Sequence, residues 1–177
     1  MKPIVQRDNA ILRQKAAEVP VSDITSAHIK DVIKDMKEAL ATQSDGIAIA
    51  APQIGVSLRI FVISGSLLKQ ADPTYTGDDS DLIFINPVIT KRSRIKKIVE
   101  EGCLSVRWLY GMTKRSAQVT LTAYTETGKP ISRGASGLLA QIFQHEVDHL
   151  EGILFIDSAE EVWEMSADEI EELQKSA

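Results

Sequence analysis

Residues Ser136–Leu150 read SGLLAQIFQHEVDHL, a stretch that decides the fold because its apolar side chains and its chemistry share one period. Leu139, Ile142, Phe143 and Leu150 fall at helical spacing, and Gly152 stands where a helix is commonly closed. On such a helix His145 and His149 lie four apart, about 5–6 Å between Cβ atoms, so both imidazoles can reach one cation. Glu146 between them can meet a water at that cation without being a ligand itself. The chain has 3 histidines in all, and two of them share this frame beside a glutamate. That coincidence points to a metal helix. His28 reads as a partly exposed helix residue.

Two histidines leave a catalytic cation short of its usual third protein ligand. A third histidine six positions after His149 would mark one peptidase class, but Phe155 stands there and excludes it. A downstream glutamate would mark another class, and the tail from Asp157 is rich in them. The remaining candidate is Cys103 in EGCLS (Glu101–Ser105), beside Gly102, which permits close backbone approach. Taken alone, a free cysteine is a small buried hydrophobe. Only the HEVDH helix lifts it to a candidate ligand.

Outward from these residues the chain reads as one domain. Its 177 residues suffice for a real core, and 44% hydrophobic with 25% charged residues is ordinary globular composition. The net charge of −5 argues against broad nucleic-acid binding, and no long apolar run predicts a membrane span. A single cysteine excludes an internal disulfide, and the first twenty residues lack a signal-peptide core, so a cytoplasmic protein is expected.

Ile29, Val32, Ile33, Met36 and Leu40 predict an amphipathic helix entered near Ser22–Thr25. The small-residue segment GIAIAAPQIG (Gly46–Gly55) suits a turn leading into a strand at Leu58–Ser64. Further strands are expected at Leu82–Ile89, Ile95–Glu100, Ala117–Tyr124 and Ile153–Ile156, with a loop over Gln70–Asp81. Lys91, Arg92, Arg94, Lys96 and Lys97 read as a solvated hairpin, with RNA or ribosome contact as the minor reading. The acidic tail is expected to be helical from about residue 157, with Val162, Trp163, Ile170 and Leu173 as a packing stripe. Strands scattered among few helices predict α+β, with mixed or antiparallel strands around the helix that carries the HExxH pattern.

Three segments, GIAIAAPQIG, EGCLS and QHEVDHLEG, together resemble the three motifs of peptide deformylases, in the same order. The resemblance implies one catalytic domain over residues 1–177 that removes the formyl group from the N-terminal formyl-methionine of new polypeptides and releases formate. Its place would be N-terminal methionine processing in protein biosynthesis. It implies Cys103, His145 and His149 as metal ligands, with Fe2+ as the expected cation and Zn2+, Ni2+ or Co2+ as substitutes. Glu146 would be the general acid/base, and the Gln53 amide with the Leu104 N–H would face the formyl oxygen. Gly46 and Ile47 would pair with the peptide, Gly102 would face them, Arg115 would lie near the peptide path, and Leu138 and Ile142 would line the methionine pocket.

The chain departs from the family pattern at Ala48, where glycine is usual, and at Arg107, where proline is frequent. Trp108, Leu109 and Tyr110 follow. The partners implied are formyl-methionyl nascent peptides, with no membrane and no specific nucleic-acid binding. Contact with the ribosome stays open as an expectation, but not through a basic C-terminal helix, because the tail is acidic.

Overall fold

The computed structural model describes residues 2–175, with side chains through residue 172. Helix α1 (Ala27–Ala41) opens at Ser26, whose Oγ accepts the Ile29 N–H at 3.3 Å. It buries Ile29, Val32, Ile33, Met36 and Leu40, the face expected from their spacing. Strands β1 (Ala48–Ala50) and β2 (Ile60–Ile63) follow, separated by a 3-10 turn at Ala51–Ile54. After α2 (Gly65–Ala71) come β3 (Leu82–Arg92), β4 (Lys96–Gly102), β5 (Leu109–Ser116), β6 (Gln118–Tyr124) and β7 (Pro130–Ser136). Helix α3 (Gly137–Leu150), strand β8 (Glu161–Glu164) and helix α4 (Ala167–Lys175) complete the chain.

The strands form two antiparallel sheets, β1-β2-β3-β6-β7 and β4-β5-β8. Strand β2 is buried on both faces. Ile60 and Val62 enter the cluster under α1, whereas Phe61 and Ile63 enter the cluster around α3. The five-stranded sheet is thus sandwiched between the two helices. Phe61 stacks on Phe84 at 4.7 Å, and Phe84 meets Phe143 of α3 edge-on at 5.0 Å. Helix α3 also contacts β5 of the smaller sheet, so it sits between the sheets and is buried on most sides. This is the α+β arrangement expected, with the HExxH helix at its centre.

Several elements differ from expectation. Ile153–Ile156 contains no strand; a 3-10 turn forms at Phe155–Asp157 instead. Gly152 closes α3 at φ 77°, and the Asp157 carboxylate accepts the Leu154 N–H at 2.9 Å, which curls the chain. A Cβ at Gly152 would also lie 2.7 Å from the Arg13 carbonyl oxygen. The tail begins with a strand and turns helical only at Ala167. Val162 and Trp163 fall in that strand, which pairs with β5 from Leu109↔Glu164 to Met112↔Glu161. Leu173 lies outside the described side chains.

The basic segment is a corner between sheets, not a hairpin, because β3 pairs with β6 and β4 with β5. Strands β5 and β7 went unread. The first buries Thr113, Arg115 and Ser116 where apolar residues would have signalled it, and the second has no fully buried residue.

Candidate metal centre and groove

Helix α3 begins at Gly137, whose φ of 57° is readily taken only by glycine, and from there presents His145, Glu146 and His149 inward. Cys103 follows directly on β4. One ligand atom from each of Cys103, His145 and His149 lies within 4.8 Å of the others, and Cys103 Sγ is 3.1 Å from His149 Nε2. Among the described residues this is the one cluster of its kind, and no tail glutamate belongs to it. Cys103, not the downstream carboxylate, therefore completes the set.

A buried relay orients His145. Glu101, 4% exposed, sits 3.1 Å from His145 Nδ1 and accepts Arg115 Nε and Nη2 at 2.6 and 2.8 Å. Burial alone would raise the Glu101 pKa, but Arg115 and His145 hold it at about 2. The carboxylate is therefore ionised and must accept from Nδ1–H, which leaves Nε2 as the ring nitrogen available to a cation once it gives up its proton. Arg115 also donates to Asp148 at 2.5 Å, which ties β5 to α3. Arg115 was expected near the peptide path. It is 8% exposed, does not line the groove, and is engaged by these two carboxylates.

The donor set suits a divalent cation. Burial would raise the Cys103 thiol, yet the two imidazoles pull it down to about 5, so the ligating thiolate form prevails. Burial would lower His145, but the Cys103 thiolate and Glu101 push it well above its ordinary value. The cluster thus attracts positive charge. Glu146 Oε2 and His149 Nδ1 are buried without a hydrogen-bond partner among the described residues. One thiolate with two imidazoles is a borderline-soft set that fits Fe2+, Zn2+, Ni2+ or Co2+ better than Mg2+ or Ca2+.

Glu146 differs from its neighbour Glu101 in having no cationic clamp. Desolvation raises it to about 7, near the working range of a general acid/base. Gln53, on the Ala51–Ile54 turn, is 2% exposed. Its Oε1 accepts the Ala50 N–H at 2.8 Å, so the amide nitrogen faces Ser105 Oγ at 3.2 Å and Cys103 Sγ at 3.6 Å. Ala50 thereby sets the amide's direction.

These groups open into a groove of about 190 Å³. Gly46, Ile47 and Ala48 line one wall, Gly102–Leu104 and Arg107–Tyr110 the other, and Leu138, Ile142, His145 and Glu146 the α3 side. Both glycines permit close approach. A Cβ at Gly46 would meet Leu104 Cδ1 at 2.7 Å, and one at Gly102 would meet the Tyr110 ring at 2.6 Å. Nearly all the expected residues are brought together; His149 lies beneath the groove at 1% exposure, and Arg115 is set apart. Glu101 and Asp148 were missed as functional residues although they lie inside EGCLS and HEVDH. No spacing rule marks them, because their partner Arg115 comes from another strand.

The sequence model of the polypeptide deformylase family matches residues 1–164. A peptide deformylase of Pseudothermotoga lettingae is 40% identical over 157 residues, 89% of this chain and 82% of that protein. Among solved structures, the Met-Ala-Ser-bound class I type b peptide deformylase of Acinetobacter baumannii aligns with a TM-score of 0.78 at 30% identity. That alignment covers 89% of this chain and 98% of the other. The peptide deformylase of Thermotoga maritima aligns equally well, with a TM-score of 0.78 at 29% identity over 91% of this chain and 99% of that one.

Proposed function

This chain belongs to the peptide deformylase family, hydrolases that remove the formyl group from the N-terminus of new polypeptides, and we propose how its groove does so. Cys103, His145 and His149 hold one divalent cation, Fe2+ by preference. When bound, that cation would supply Lewis acidity to a water and to the formyl group. Glu146 takes a proton from the attacking water and returns it to the departing amine, a role its pKa of about 7 favours at neutral pH. Gln53 Nε2 and the Leu104 N–H donate to the formyl oxygen as it gains charge; a neutral amide does this without adding a competing charge. Leu138 and Ile142 take the flexible methionine side chain. Gly46 and Ile47 pair with the peptide backbone, with Gly102 opposite. Arg115 acts from behind the site by holding Glu101 against His145.

The observation that carries this reading is the convergence of the three ligand atoms beside Glu146 and the Gln53 amide in one groove. In this reading the enzyme is one catalytic domain that works in the cytoplasm, where it meets chains still being made. Any ribosome contact avoids the C-terminal helix, whose Asp168, Glu169, Glu171 and Glu172 would repel phosphate. The test is formate release from a formyl-Met tripeptide, with anaerobic iron-loaded protein compared against zinc-loaded protein. An acetyl-Met tripeptide and an unblocked oligopeptide serve as controls. We expect formyl-Met to be turned over far faster than either control, because Ala48 lines the groove and leaves less room for an acetyl methyl group. Faster cleavage of the unblocked peptide would overturn the assignment.

A further inference from the structure

We propose that the ion pair between Arg107 and Asp45 ties the two walls of the groove together and thereby sets how tightly the peptide is held. The proposal rests on the deformylase reading and concerns binding, not the chemical step. Strand β1 is an outer strand of the larger sheet and β4 an outer strand of the smaller one, and the two are not paired. No backbone ladder fixes the distance between the walls that continue from them. A peptide lying as a strand between two edges needs each about 4.7–4.9 Å away, so its hydrogen bonds depend directly on that distance.

Arg107 spans the gap. Its guanidinium donates to both carboxylate oxygens of Asp45, with Nη2 to Oδ1 at 2.9 Å, and Nη2 also donates to Gln43 Oε1 at 2.9 Å. The same guanidinium lies 4.5 Å over the Trp108 ring. The side chains are 19% and 17% exposed, so the pair is less screened than an open surface bridge. Its fork geometry is one a lysine cannot reproduce. The loop is held from its other side by Gln6, whose Nε2 donates to the Leu104 carbonyl at 3.1 Å and whose Oε1 accepts the Arg107 N–H at 3.4 Å. Asp45 directly precedes Gly46, and Arg107 closely follows Leu104, so the tie acts on the two segments assigned to grip the substrate. The sequence set Arg107 apart from the family pattern; this contact with Asp45 is what it does.

The experiment compares Arg107→Ala, Asp45→Ala, the double alanine variant, Arg107→Lys and the exchanged pair Arg107→Asp/Asp45→Arg on a formyl-Met tripeptide, at equal metal content and confirmed folding. Affinity for the deformylated tripeptide product is measured in parallel by calorimetry. Each alanine variant is expected to raise KM and the product Kd by about tenfold while kcat moves less than about threefold, a split expected when ground-state binding is lost. The double variant should be no worse than either single, Arg107→Lys should be intermediate, and the exchanged pair should recover part of the loss. Raising salt from roughly 0.05 to 0.5 M should increase the wild-type KM more than that of the variants. Unchanged KM and Kd in both single variants, or fully additive effects in the double one, would overturn the tie alone. Metal-loaded wild type that turns over no formyl peptide would overturn the function and the tie together.

Discussion

Two neighbouring glutamates illustrate how environment, not residue type, assigns a role. Glu101 is clamped by Arg115 and His145 and is held at about 2, so it stays an acceptor that orients an imidazole. Glu146 has no such clamp and rises to about 7, so it can both take and give a proton. Glu146→Gln keeps the shape of the side chain and removes only proton transfer. Metal content should therefore be retained while kcat falls about 10²–10⁴-fold. Gln53→Ala should cost about 10²–10³-fold in kcat, because the amide aimed by Ala50 is then lost from the formyl oxygen. Steady-state rates normalised to bound metal check both. Near-wild-type turnover would remove that residue from the mechanism.

At the scale of elements, the turn at Phe155–Asp157 carries a pH signature. Asp157 accepts from Arg13 at 2.5 Å and from the Leu154 N–H at 2.9 Å. Partial burial would raise its pKa, but these two donors outweigh that and lower it. A lowered carboxylate contributes stability that is present above its ordinary value of 3.8 and is lost as pH falls through the lower folded value. Wild type should thus exceed Asp157→Asn in Tm by about 1–4 °C near pH 6, the scale of a half-exposed ion pair, with the gap closing toward pH 2. A gap that stays constant with pH would mean that shape, not charge, stabilises the turn.

That turn also shows where legibility ended. Helices α1 and α3 could be read because each buries a periodic apolar face, and β2 because it is apolar on both sides. Strand β5 hid because it buries Thr113, Arg115 and Ser116 in polar contacts, so no alternation announced it. The short β8 takes its conformation from pairing with β5, a long-range contact that local charge and periodicity cannot report. In the site, the ligands on one helix were visible as a spacing. The relay of Glu101, Arg115 and Asp148 was not, since it joins β4, β5 and α3 only after folding.

Across the whole molecule, the metal centre is the junction of parts that are otherwise separately built. Cys103 comes from the end of the three-stranded sheet, whereas His145 and His149 come from the helix packed on the five-stranded one. The two sheets do not share a ladder. The three ligand atoms converge only in the folded chain, so a cation bound there favours the folded state and stabilises the whole fold by mass action. With free metal at roughly a thousand times Kd the increment is about 4 kcal/mol. For a chain of 177 residues that corresponds to a Tm rise of about 8–16 °C over the chelated protein. Cys103→Ala removes the ligand contributed by the smaller sheet and should abolish most of this increment. Glu161→Ala and Glu164→Ala, on β8 away from the cluster, should leave the increment intact whatever they do to the baseline. Differential scanning calorimetry of each protein with and without added metal, under anaerobic conditions for iron, reads the increment independently of activity. An increment that survives in Cys103→Ala, or is missing from the wild type, would break the link between the ligand set and the fold.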